Sequence, residues 1–186
     1  MGGGIFALIF AAVIVLFFMW VVREQRVLVK RDELCKNALS QIGVQLNSRW
    51  DALNALADLT KSYAEHEYNA LKDVIAARSR ITQDSTPQDI VQQENAMGNM
   101  LGRLLAISEA YPQLKASQTY MNTMNSVKDY EENVRMAREV YNDTVTRLNS
   151  MIRQFPTSMI ASRLGFVQRE YLQEPEGKTE MPNMMR

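Results

Sequence analysis

Few residues in this chain could do chemistry, and their spacing limits what that chemistry is. His66 is the only histidine, and it sits between Glu65 and Glu67, a trio that brings metal binding to mind. A zincin helix needs a second His four residues on, where this chain has Ala70. Neighbouring residues point different ways round a helix, so one His and two carboxylates make a poor metal site. The plain reading is a His on the bundle surface or one held by a hydrogen bond. Nucleophilic catalysis would need His66 beside Ser40 or Ser62, and only Ser62, four residues away, shares its helical face. No Gly-rich turn offers an oxyanion hole. Neither the G-x-x-x-x-G-K-S/T nor the G-x-G-x-x-G phosphate motif occurs. A di-iron bundle requires Glu-x-x-His on two helices, which one His cannot supply. Glu131–Glu132 reads as a solvated face. The expectation is therefore no catalytic residues, no cofactor and no metal: not an enzyme.

The element that must position everything else is residues 5–22, IFALIFAAVIVLFFMWVV. They carry no charge, Asn, Gln, Gly or Pro. As a helix they would be about 27 Å long, close to the ~30 Å hydrocarbon core of a bilayer. Their Ile, Leu, Val and Phe side chains sum to about −4 to −8 kcal/mol on an insertion scale. Trp20 falls at the depth of an interfacial aromatic belt. A cleaved signal peptide would show a basic n-region and an A-x-A-like site; Arg23, Glu24, Gln25 and Arg26 follow instead. An uncleaved transmembrane helix is expected. Arg23, Arg26, Lys30 and Arg31 flank it on one side only, which puts the N-terminus outside and the remainder in the cytoplasm. The same four cations could meet anionic lipid, or merely stop translocation. Cys35 is the single cysteine; it excludes an internal disulfide, agrees with a cytosolic domain, and offers an accessibility probe of topology.

Lys plus Arg and Asp plus Glu both number 21, and no basic patch interleaved with aromatics argues for nucleic acid. Five Pro and eight Gly, three of them at positions 2–4, favour long helices. From Cys35 a stripe at spacings of three and four runs through Leu39, Ile42, Leu46, Leu53, Leu56, Thr60, Tyr63, Ala70, Val74, Ala77 and Ile81. It predicts one coiled-coil-like helix continuous with the anchor, weakest at Gly43 and Asn54, with a kink near Asn54 favoured over a full break. Thr82 to Thr86 read as a turn. Thr86 as N-cap, Pro87 at the first helical position and Asp89 in the first turn open the next helix, which Pro112 closes after Ala110. Within it Gly98, Gly102, Ala106 and Ala110 recur every four residues. Two helical glycines cost about 1 kcal/mol each against alanine, which close approach of another helix would offset. That helix is expected in the same bundle; a neighbouring subunit is the alternative. The last long helix spans about 117–154 on the stripe Tyr120, Met124, Val127, Tyr130, Val134, Ala137, Tyr141, Val145, Leu148, Ile152 and Phe155. A helical turn, Met159 to Arg163, ends at Gly165. Met97, Met100, Met121, Met124, Met136 and Met151 read as core filler or as an adaptable surface. Asn133, Asn142 and Asn149 lie near the inner stripe; if buried they must be hydrogen-bonded and would fix register. The fold class is all-α, an N-terminal transmembrane helix continuing into an antiparallel bundle of three to four long helices. The division is a short leader 1–4, the transmembrane helix 5–22, the bundle 23–172 and a disordered tail 173–186.

Several runs, in this order, carry a resemblance. They are Ala38-Leu39-Ser40-Gln41-Ile42-Gly43-Val44-Gln45-Leu46, Tyr63-Ala64-Glu65-His66-Glu67, Ser108-Glu109-Ala110-Tyr111-Pro112-Gln113-Leu114-Lys115-Ala116, Ala137-Arg138 with Tyr141-Asn142, and Phe155-Pro156. Over about residues 1–172 the chain resembles the LemA family of bacterial membrane proteins. It departs from the family at Gly43, Asn54 and Ser62, where members usually carry Asp, often Pro and usually Gly. The resemblance implies a single-pass membrane protein with a helical bundle and supplies no catalytic mechanism. Some magnetosome membrane proteins share the domain, and association with membrane metalloproteases has been suggested for the family. The function expected is a structural or interaction protein at the bacterial inner membrane, self-associating as a homo-oligomer or scaffolding a membrane protein partner. The alternative is an adaptor presenting substrates to a membrane protease. Its partners would be the lipid bilayer and protein, with no nucleic acid.

Overall fold

The computed structural model describes residues 2–76, 81–82 and 85–173. Its elements are α1 (Gly2–Thr60), α2 (Glu65–Ala76), α3 (Pro87–Ala110), α4 (Pro112–Lys115), α5 (Gln118–Arg153) and α6 (Thr157–Arg163). No strand occurs among the described residues, so the all-α class holds, with the apolar N-terminal stretch continuing into a helical domain. The expected tail, apart from Gln173, lies outside the described residues, as do Ala77 and the side chains of Ala70 and Val74.

The first helix does not run to Ile81. It passes unbroken through Gly43 and Asn54 and stops at Thr60, followed by the turn Lys61–Tyr63. The Thr60 hydroxyl is buried and donates to the Ala57 carbonyl at 2.7 Å, and the Tyr63 and Ala64 amides donate to the Thr60 carbonyl. The stripe shifts register there: Ala64 and Leu71 are buried, and the expected Tyr63 is exposed. Glu65 and Glu67 fall in the first turn of α2, where carboxylates suit the helix dipole. The Tyr68 hydroxyl donates to Asp58 at 2.9 Å and ties the new helix back to the old one.

Two compact units make up the chain. Unit 1 takes in residues up to Lys36 and Asp143–Glu170; unit 2 takes in Asn37–Asn142 and the residues from Tyr171. In unit 1, Leu28, Cys35, Val145, Leu148 and Ala161 are buried. In unit 2 the core is Leu39, Ile42, Leu46, Trp50, Leu53 and Leu56 of α1, Ile90, Met97, Met100 and Leu104 of α3, and Tyr120, Val127, Val134 and Tyr141 of α5. The order of pairs fixes direction: Glu94 meets Arg138 while Leu104 meets Tyr120, so α3 and α5 run antiparallel. The α3 start follows its sequence closely. Thr86 and Asp89 form a reciprocal capping box, Thr86 N–H donating to Asp89 at 2.7 Å, with Pro87 at the first position. Gly43 earns its place through Ile81: a Cβ there would lie 3.1 Å from the Ile81 carbonyl oxygen.

Candidate functional site

Unit 2 carries a polar groove of about 910 Å³, lined by α1, α3, α5 and Leu172. Four cations, Arg49, Lys128, Arg135 and Arg138, face four carboxylates, Glu94, Glu131, Glu132 and Glu139. Two of the cations are core residues. Arg138 is 8 % exposed at its side chain and donates to both oxygens of Glu94, at 2.9 and 2.7 Å. Arg49 is 7 % exposed and donates to Glu131 at 3.2 Å. A buried charge holds its place only when paired, and removing one partner leaves the other uncompensated. These pairs are therefore structural constraints as well as groove walls. Arg49 Nε, Trp50 Nε1 and Asn54 Oδ1 have no hydrogen-bond partner among the described residues, and each such group costs about 1–3 kcal/mol.

At one end the groove already holds polypeptide. Asn142 Nδ2 donates to the Leu172 carbonyl at 2.9 Å and its Oδ1 accepts from the Leu172 amide at 2.9 Å. Arg138 adds a hydrogen bond to the Gln173 carbonyl. Within unit 1 the same device recurs: Asn149 pairs with both backbone groups of Arg169, each at 2.9 Å, and the Arg169 guanidinium meets Asp32 at 2.7 Å. A carboxamide matches the donor–acceptor pair of one extended residue. So Asn142 and Asn149 hold the extended stretch after α6, where the sequence alone suggested helix register; Asn133 is half-buried.

The other singled-out residues are dispersed. Gly98, Gly102, Ala106 and Ala110 are all exposed, and a Cβ at either glycine meets nothing within 4 Å. The row therefore does not pack on another helix within the described residues, contrary to the in-bundle partner expected above: the buried residues of α3 are Ile90, Gln93, Met97, Met100, Leu104, Ile107 and Ser108. Met97 and Met100 are core, whereas Met121 and Met136 are exposed. Arg23, Arg26 and Lys30 are exposed and Arg31 half-buried, with no ion pair to any of them among the described residues. His66 and Ser62 are exposed, and no group of three or more potential metal ligands occurs among the described residues. Glu131 is not simply solvated, because it answers Arg49. Cys35 is buried, and that burial raises its thiol pKa against a lowering hydrogen bond from Thr144. It is consequently shielded by the fold and no reporter of which side of a membrane it lies on.

Sequence reasoning missed Arg49, Glu94 and Arg138. The signal was present: Arg49 and Trp50 fill the gap between Leu46 and Leu53 in the inner stripe, and Arg138 lies four residues after Val134 and three before Tyr141. A charge at an inward position asks for a buried partner.

Residues 5–19 complete the picture. Their large apolar side chains run from 41 % exposed at Ile14 to 74 % at Phe6, and α1 is long and apolar enough there to cross a membrane. Fold and site together define an all-helical protein with an exposed apolar N-terminal helix and a polar, arginine-walled groove. The LemA family model matches residues 38–185, and the chain belongs to the LemA family. Protein LemA of Metamycoplasma hominis is 26 % identical over 151 residues, covering 81 % of this chain and 68 % of that protein. Magnetosome proteins MamQ 2 of Paramagnetospirillum magneticum and MamQ of Magnetospirillum gryphiswaldense are each 37 % identical over 87 residues, 46 % of this chain. The match spans 32 % of the length of each of those two proteins.

Proposed function

We propose that the protein is a membrane-anchored structural and interaction module of the bacterial inner membrane. Residues 5–22 span the bilayer with the N-terminus outside, and the helical domain from Arg23 stands in the cytoplasm. There it self-associates or scaffolds partners and catalyses nothing. The observation that carries this reading is the apolar surface of residues 5–19, exposed on every face of the helix. A helix apolar all round satisfies its surface only inside lipid or another protein. The basic residues that follow on one side support the orientation, and the family membership and the magnetosome proteins among its relatives support the membrane setting. The open row Gly98, Gly102, Ala106 and Ala110 supports self-association, because no helix of the same chain covers it among the described residues. Extraction in mild detergent followed by mass measurement tests the reading. A defined oligomer or heteromer is expected; a strict monomer that captures no partner opposes it.

A second reading, an adaptor presenting substrates to a membrane protease, draws on one observation. The groove side chains Asn142 and Arg138 grip main-chain atoms rather than a particular side chain. An adaptor predicts changed proteolysis of a client when Asn142 is replaced, with the oligomer intact.

A further inference from the structure

The apolar stretch ends at Val22, and Glu24 is the first carboxylate after it. In unit 1 the Thr157 hydroxyl donates to Glu24 Oε2 at 3.3 Å. That contact sets the first residue of α6 at the level where the apolar stretch stops. Ala161 of α6 is buried in the unit, so α6 has an inner side. On the turn leading into it and on the helix itself, Phe155 is 80 % exposed and Met159 61 % exposed. No other large apolar side chain among the described residues is as exposed as Phe155. Outside residues 5–22 the next most exposed, Met159 aside, are Val167 at 75 % and Val140 at 58 %, and single exposed apolar side chains are ordinary for a protein surface. Here two of them stand next to the end of an apolar helix.

Charge agrees with the position. Arg153 closes α5 and Arg163 closes α6, both exposed, and Arg23 and Arg26 are exposed on α1 beside the same level. Glu24 is taken up by Thr157. The chain then leaves: Arg169 is held by Asp32, eight residues and about 12 Å further along α1 than Glu24. Phe155 and Met159 are the part of unit 1's exposed apolar surface that Thr157 ties to the level of Glu24; Leu164 and Val167, 45 % and 75 % exposed, follow them in the chain. Apolar side chains bordered by Arg are the composition that settles into the boundary between headgroups and acyl chains of an anionic bilayer.

We propose that the turn from Phe155 to Met159 is a second membrane contact, inserting both side chains into the interface of an anionic bilayer beside the emerging α1. The proposal rests on residues 5–22 spanning that bilayer. Unit 1 then meets the membrane at two points, and the α5–α6 turn is held there by lipid as well as by Thr157.

The test uses the full chain carrying Cys35→Ala and one nitroxide-labelled cysteine at a time, at Phe10, Met136, Phe155 or Met159. The protein is reconstituted in vesicles of three parts phosphatidylcholine to one of phosphatidylglycerol. Relaxation by oxygen, which concentrates in lipid, is compared with relaxation by a water-soluble nickel chelate. The expected result is a deep label at Phe10, shallow lipid burial of about 5–10 Å at 155 and 159, and an aqueous label at Met136. Nickel access at either 155 or 159 equal to that at Met136, with Phe10 still deep, overturns this inference and leaves the anchor standing. An aqueous Phe10 overturns both.

Discussion

The two halves of α1 are both rich in Leu, Ile and Val, and they meet opposite fates. In residues 5–19 the apolar side chains cover every face and all the large ones are exposed. In residues 38–57 they form one stripe, Leu39, Ile42, Leu46, Leu53 and Leu56, buried in unit 2, while Gln41, Val44 and Asp51 face out. The helix is continuous through both. Pattern, and not apolar content, decides what each half is for: a stripe can be covered by two or three neighbouring helices, whereas an all-round apolar surface needs a solvent of its own kind. Polar intrusions differ in the same way. The upper half tolerates Arg49 because Glu131 answers it; the lower half, residues 5–22, carries no charged residue.

The contrast breaks most visibly under a charge. Leu53→Arg buries an unpaired cation and should cost more than about 4 kcal/mol of domain stability, read as loss of cooperative unfolding in urea. Leu16→Arg should leave that transition unmoved and instead weaken membrane insertion by about 2.5–3.5 kcal/mol, read by fractionation. Next in size, Arg138→Met strands Glu94 and should lower stability by about 3 kcal/mol. Arg135→Met, whose ion pairs with Glu132 and Glu139 are exposed, should cost under about 1 kcal/mol. On the open row, Gly98→Ala with Gly102→Ala should raise the stability of the monomer by up to about 1 kcal/mol each, since nothing stands within 4 Å. Gly98→Leu with Gly102→Leu should preserve the circular dichroism spectrum and lower the mass of the detergent-extracted particle. The smallest effect concerns Asp89, whose pKa the Thr86 backbone amide lowers, helped by the Thr86 hydroxyl. A carboxyl depressed by folding contributes stability above its unfolded value, about 3.9, and loses it as pH falls through the folded value. Wild type and Asp89→Asn should therefore differ near neutrality and converge in acid, by thermal melts across that window.

Much of the fold was legible because its signals are local. The N-cap at Thr86 with Pro87 and Asp89 in the first turn, the stop at Pro112 and the turn at Gly165 each come from a few adjacent residues, and the structure places them where those residues predict; that Thr86 and Asp89 close a reciprocal capping box is the structure's addition. The break at Thr60 was not legible. A stripe at spacings of three and four reads on through Tyr63, and only burial of Ala64 in place of Tyr63 betrays the change of register. Gly43, read as a weak point, is instead a place of close approach, which depends on Ile81 thirty-eight residues away in sequence. The groove was hidden for the same reason. Glu94 and Arg138 are forty-four residues apart, and nothing local pairs them. The Asn142 and Asn149 clamps were half visible: the sequence asks for hydrogen-bond partners, but their being the backbone of Leu172 and Arg169 follows only from the path of the chain after α6.

On the proposed function, the exposed half of α1 lies in lipid. Alkaline carbonate extraction of membranes from cells expressing the full chain tests it most directly. If that half lies in lipid, the protein stays with the sedimented bilayer, and a chain lacking residues 5–22 appears in the supernatant with the helices beyond residue 22 still formed. Release of the full chain into the supernatant would contradict it.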